Sequence, residues 1–231
     1  MSHTIRRSII FPATLLFSVQ LFSQRPVTGM WLSAQLPVSL NKKWQWHNDA
    51  SYRTLGNSIA PLQYLYRTGL RYNINDKFTT AAGVAFFFTR TTFSKQNDEF
   101  AKEFRLWEEA TYKLIIAPKL QSFSRLRIEQ RNFSGTSSKS AYHAIRYRIK
   151  TQLQQQVNKH WALQVADEYM EQSVNNSLSF DQNRVLVNAV YLLPKQLTIT
   201  AGYLWVNRPA HNAQHLLNIS IQKALSFHAK Q

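Results

Sequence analysis

From residue 28 onward, apolar and polar side chains alternate with a period of two, the mark of extended chain whose two faces meet different surroundings. Near the C-terminus Leu217, Ile219, Ile221, Leu225 and Phe227 share one face, and Asn218, Ser220, Gln222 and Ser226 the other; only Lys223 interrupts the apolar row. Leu32, Ala34, Leu36 and Val38 likewise oppose Ser33 and Gln35. Trp44, Trp46, Ala50 and Tyr52 oppose Gln45, His47, Asp49, Ser51 and Arg53, with Asn48 as the exception.

The alternation divides into about eleven segments, each long enough to cross a bilayer when tilted. They fall at 28–40, 43–55, 62–74, 77–90, 103–116, 119–132, 143–156, 160–172, 180–193, 196–207 and 213–227. Short connections (41–42, 75–76, 117–118, 158–159, 194–195) alternate with longer ones (56–61, 91–102, 133–142, 172–179, 208–212). Short turns at one rim and long loops at the other predict an all-β fold, an antiparallel transmembrane β-barrel of about 10–12 strands with its short turns periplasmic. An all-antiparallel barrel with a periplasmic N-terminus needs an even count. Eleven segments therefore leave three options: one is not a wall strand, one conceals two, or the first and last pair in parallel.

Charge placement bears on which face meets lipid. Arg125, Arg127, Glu129 and Arg131 share one face and Leu126, Ile128 and Gln130 the other, while Arg146, Arg148 and Lys150 alternate with Ile145, Tyr147 and Ile149. An Arg facing lipid at the midplane costs about 2–4 kcal/mol, so these rows are expected to point into the lumen. A soluble sandwich would put the apolar rows in its core and the arginines in water. Strand length and aromatics near strand ends, namely Trp31, Trp44, Tyr72, Trp161, Tyr191 and Trp205, favour the membrane.

The first residues have another character. Arg6 and Arg7 precede an apolar run over 8–22, and Ser23 stands before Gln24, which predicts a signal peptide over 1–23 and a single barrel domain over 24–231. Leu21 is larger than the side chain that signal peptidase prefers at that position. Export changes the meaning of the net charge of +16, which would otherwise suggest nucleic acid. Without Arg6 and Arg7 the charge is still +14. Cysteine is absent, which excludes disulfides, thiolate metal sites and thiol nucleophiles.

Glu103-Phe104-Arg105-Leu106-Trp107-Glu108-Glu109, then Arg125 to Arg131 ending in Glu129-Gln130-Arg131, Arg146-Tyr147-Arg148, Asp167-Glu168-Tyr169, Asp181-Gln182-Asn183-Arg184 and Gly202-Tyr203 occur in an order that resembles the bacterial family called domain of unknown function 2490. The resemblance spans about 31–227. It implies a Gram-negative outer-membrane β-barrel and supplies no catalytic or binding residues.

The candidate site is a luminal charge network of Arg105, Glu109, Arg125, Arg127, Glu129, Arg131, Arg146, Arg148, Glu168 and Arg184. By parity Arg67, Arg71 and Glu103 point the same way. Such groups can brace a narrow lumen through bidentate Arg–carboxylate pairs, or form a basic constriction that selects anions. His47, Asp49 and Ser51 carry the residue types of a hydrolytic triad, but His47 and Ser51 lie about 13 Å apart on an extended chain. There is no phosphate-binding glycine loop or HExxH, and His143, His160, His211, His215 and His228 lack ligand spacing. The expectation is a non-enzymatic barrel without cofactor or metal, in contact with outer-membrane lipid and a candidate small anionic solute, and not nucleic acid. Its alternatives are a membrane-embedded lipid-modifying enzyme and a secreted soluble barrel that binds an apolar ligand.

Overall fold

A computed structural model of the protein describes residues 27–56, 59–91 and 99–227. The signal segment 1–23, its cleavage point and His228 lie outside the described residues. The chain forms strand after strand: β1 (Val27–Gln35), β2 (Val38–Ser39), β3 (Trp44–Thr54), β4 (Pro61–Asn73), β5 (Phe78–Arg90), β6 (Phe100–Ala117), β7 (Leu120–Phe133), β8 (Tyr142–Gln156), β9 (Trp161–Val174), β10 (Ser177–Leu193), β11 (Leu197–Asn207), β12 (Gln214–Lys223) and β13 (Leu225–Ser226).

Each strand from β3 to β12 pairs antiparallel with its sequence neighbour. The sheet closes through β1, which runs antiparallel to β3 and parallel to β12, from Val27 opposite Gln214 to Gln35 opposite Gln222. β1 and β2 are two pieces of one wall strand, interrupted at Leu36 and Pro37. Pro37 has no N–H to give a ladder. At this break the Leu36 N–H donates to the Asn48 carbonyl at 2.8 Å, and Asn48 Nδ2 donates to the Leu36 carbonyl at 3.4 Å. That second bond explains why a polar residue stands in the apolar row of β3. β12 and β13 are likewise one wall, carried past Ala224 by a bond from the Leu225 N–H to the Pro37 carbonyl. The walls number eleven among the described residues, and the parallel seam is what permits an odd count. Val27 consequently sits at the long-loop rim and Ser226 at the opposite rim.

Asparagine shapes three of the short turns in one way. Oδ1 of Asn41, Asn75 and Asn158 accepts from two N–H groups further along the chain: those of Lys43 and Trp44, of Lys77 and Phe78, and of His160 and Trp161. These side chains mimic a backbone turn. The expected long connection at 172–179 is instead a two-residue turn, Asn175 and Asn176, with φ of 50° and 62°. Asparagine tolerates this left-handed region, and two such residues in succession suit a tight hairpin. At the same rim, Glu99 accepts from the N–H and hydroxyl of Ser137, which ties two long loops together and holds its carboxyl below the ordinary value.

The register gives every wall one inward and one outward face, and exposure follows it in the reverse of a soluble protein's order. Leu126 and Ile128 are 59% and 48% exposed, whereas Arg127 between them is 4% exposed. Outward Leu106, Leu153, Leu163, Val187 and Leu217 continue the apolar belt, with Trp44, Tyr72, Trp161, Tyr191 and Trp205 toward the rims. Trp31 does not belong to this girdle. It pairs with Arg53 and Asn218 and faces inward, because it has the parity of Ser33 and Gln35.

Inward apolar side chains form two clusters. Leu204, Val206 and Leu216 pack with Trp31, Leu55 and Leu186; Leu65, Ala81, Ala85 and Phe87 pack with Trp107. Gly69 and Gly83, paired across β4 and β5, make room for the second. A Cβ on Gly83 would lie 2.1 Å from the Thr68 carbonyl oxygen and 2.8 Å from the Trp107 ring.

The parallel seam is open to a direct test in a chain without cysteine. Ser33→Cys with Ser220→Cys is expected to cross-link on mild oxidation, because these residues are register partners. Ser33→Cys with Thr200→Cys, one strand further away, is expected to remain unlinked. The reverse pattern would contradict the closure.

Candidate functional site: charged side chains inside the barrel

The ten candidate residues occupy five consecutive strands: Arg105 and Glu109 on β6, Arg125, Arg127, Glu129 and Arg131 on β7, Arg146 and Arg148 on β8, Glu168 on β9 and Arg184 on β10. All lie on the inward face. The register places Glu109, Arg127 and Arg148 in one row and Arg125, Lys150, Glu168 and Arg184 in the next. Like charges are thus direct cross-strand neighbours at Arg127–Arg148 and Arg125–Lys150, which is destabilising unless carboxylates intervene.

Four glutamates do intervene. Glu129, 2% exposed, has Arg148 at 2.5 Å, Arg105 at 2.9 Å, Arg127 at 3.5 Å and Arg146 at 3.9 Å. Glu168 accepts from Arg125 at 2.5 Å and Arg148 at 2.7 Å, with Arg184 at 3.6 Å. Glu109 accepts from Arg127 at 2.5 Å, and Arg125 and Arg71 stand 3.6 and 3.9 Å away. Glu103 takes bidentate bonds from Arg105, which it shares with Glu129, and a second set from Arg131. Each of these four glutamates serves two or more arginines. The arrangement is a web, in which removing one carboxylate would strip several buried guanidiniums of their counter-charge.

Aromatic rings fill the space between charges. The Arg105 guanidinium lies 3.6 Å above the Phe87 ring centroid, and Arg127 and Arg67 lie 4.7 and 5.9 Å from that of Trp107. Trp31 receives Arg53 at 3.9 Å and Arg184 at 4.8 Å, linking β3, β1 and β10 across the interior. A planar guanidinium can stack on a ring while its edge bonds carboxylates, which a lysine cannot do.

Parity alone did not single out several members. Asp181 bonds Arg146 at 2.9 Å, Gln172 accepts from Arg131, and Gln182 accepts from Arg184 and Arg208. Asp181 lies beside the bulge between Phe180 and Gln182, where strict alternation stops carrying information. In the other half of the lumen, toward the short turns, the inward positions change character. Gln121, Gln152, Gln154, Gln164, Asn218 and Gln222 line it, and all are half-buried.

His47, Asp49 and Ser51 all face inward. His47 Nε2 is 3.0 Å from Asp49 Oδ2, but Asp49 also accepts from Arg67 Nε at 2.7 Å, and Ser51 lies across from Ser33 and Leu65. The structure brings no hydroxyl to the histidine at this place. Among the described residues no group of His, Asp and Glu could hold a metal ion.

Glu129→Gln is expected to lower the stability of the folded barrel by about 3–5 kcal/mol, because uncompensated charge stays buried. Glu171→Gln, on the outward face of β9, is expected to change it by less than about 1 kcal/mol. Urea unfolding in lipid vesicles measures both.

No curated protein matches the sequence. Among solved structures, that of the NanC porin overlays with a TM-score of 0.50 over 80% of this chain and 88% of the porin chain, at 9% sequence identity. At that identity the likeness concerns the fold, a porin-type barrel. A family model described as protein of unknown function (DUF2490) matches residues 28–216, from the second residue of β1 to the third residue of β12. The match takes in all five strands that carry the charge web, and the chain belongs to that family.

Proposed function

We propose that this is a non-enzymatic barrel of a Gram-negative outer membrane, delivered there by a cleaved signal, whose charged interior acts as a structural brace. The single observation that carries the proposal is the sharing of each buried glutamate among two or more arginines from different strands. Ion pairs of this kind hold the walls at fixed separation and fill the long-loop half of a lumen that eleven strands leave narrow. With its short turns in the periplasm, the barrel ends its last strand on that side, and Val27 begins the first strand at the outer rim.

The excess of cations over carboxylates on the inward face supports a second reading, a narrow path that selects anions. Planar-bilayer recording of the purified protein distinguishes the two. The brace predicts no stable open-channel current. A stable current with anion preference, weakened or reversed by Arg127→Glu, would establish the second reading instead. The side-chain arrangement at His47, Asp49 and Ser51 supports neither hydrolysis nor lipid modification, and purified protein is expected to leave phospholipid substrates intact.

A further inference from the structure

We propose that the short-turn half of the lumen is a binding site for a small oxyanion, a phosphate or carboxylate, held by Lys113, Lys150, Arg125 and Arg71. The proposal rests on the barrel with its long-loop half filled by the charge web, and it holds whether or not the lumen conducts.

Carboxylates are not distributed evenly along the web. Glu103 and Glu129 lie toward the long loops and are held by arginines there, while at the short-turn edge of the web Lys113, Lys150, Arg125 and Arg71 share only Glu109 and Glu168, with neutral glutamines beyond them. Arg125 and Lys150 are direct register partners on β7 and β8. Lys113 on β6 stands opposite Phe123, one inward position below Arg125. Three cations on three adjacent strands thus face one space. Like charges placed side by side repel, and a sequence shaped for stability alone would put a carboxylate among them.

The available carboxylates are already committed. Glu168, which reaches Arg125, also holds Arg148 and Arg184. Glu109, which reaches both Arg125 and Arg71, is bonded most closely by Arg127. Lys150 Nζ donates only to the neutral amide oxygen of Gln152, at 2.9 Å, and Arg71 donates to that of Gln45 at 3.1 Å. Among the described residues the Lys113 ammonium has no hydrogen-bond or ion-pair partner, and Arg125 Nε is buried without an acceptor. Arg71 and Arg125 are also more accessible than the centre of the web. Arg71 and Arg125 side chains are 36% and 21% exposed, against 3% for Arg127. Half-buried glutamines continue the lining toward the mouth, offering N–H donors to an anion's remaining oxygens and no competing negative charge. A doubly charged oxyanion entering from the short-turn rim would supply the missing counter-charge, in a setting where water screens it only partly.

The test uses the full mature barrel folded in a nonionic detergent free of lipid, titrated calorimetrically with sodium phosphate at constant ionic strength. Saturable binding near one phosphate per barrel is expected. Lys113→Gln with Lys150→Gln is expected to weaken it at least about tenfold, as for loss of two charge-assisted contacts. Lys113→Arg with Lys150→Arg, which keeps both charges, and Lys119→Gln in the exposed turn should each remain within about threefold. If the glutamine pair does not fold, the two single glutamine variants carry the comparison, each weakening binding at least about threefold. Absence of saturable binding, or equal affinity in the glutamine variants, would overturn the proposal. Binding of dihexanoyl phosphatidylglycerol without any binding of phosphate would place recognition in the acyl chain and overturn it too. Heat-modifiable mobility of every variant keeps the outcome separate from the brace, whose failure appears in stability and conductance.

Discussion

The fold depends on keeping guanidinium groups charged and satisfied inside a cylinder whose outside is hydrocarbon. Glu129 is where this constraint concentrates: one buried carboxylate lies within 4 Å of four arginines on β6, β7 and β8. Ion pairs buried in a protein do not in general exceed the stability of apolar packing of the same volume, but breaking one side of such a pair is costly. The web therefore specifies more than it stabilises. A slip of one residue in a strand of the web would turn its charged side chains toward lipid and its outward apolar side chains into the charged interior, so register is fixed on both faces at once.

Closure follows from the same economy of polar groups. A spanning sheet with an open edge would leave backbone N–H and C=O groups in lipid, and the parallel seam between β1 and β12 removes that edge despite an odd number of walls. The break in the seam at Leu36 and Pro37 is bridged by Asn48 from the neighbouring strand. Trp31, Arg53 and Arg184 then tie the seam strand to β3 and β10 through the lumen.

Period-two alternation made the strands, the inward rows and the membrane-facing belt legible in the sequence, because those features depend only on residues two apart. What it could not supply depends on pairs far apart. Arg125 meets Glu168 from forty-three positions away, and that partnership is set by the combined register of β7, β8 and β9. The turn at Asn175 and Asn176 looked like a loop because Gln172, Ser173, Ser177 and Ser179 are polar on both faces, which hides alternation near a rim. Trp31 looked like a girdle residue because aromatics near strand ends usually are, yet its parity with Ser33 already placed it inside. Asn48 stood out as an exception, but the carbonyl it satisfies belongs to another strand.

Glu129 and its arginines act as one cooperative unit in this account of the barrel. A double-mutant cycle between Glu129→Gln and Arg148→Met, read by urea unfolding in vesicles, tests it most directly. A cooperative brace predicts a coupling energy of at least about 1.5 kcal/mol, within the range for residues that share a buried network. Effects that add to within about 0.5 kcal/mol would mean that the two side chains are independent fillers of the lumen, and would contradict it.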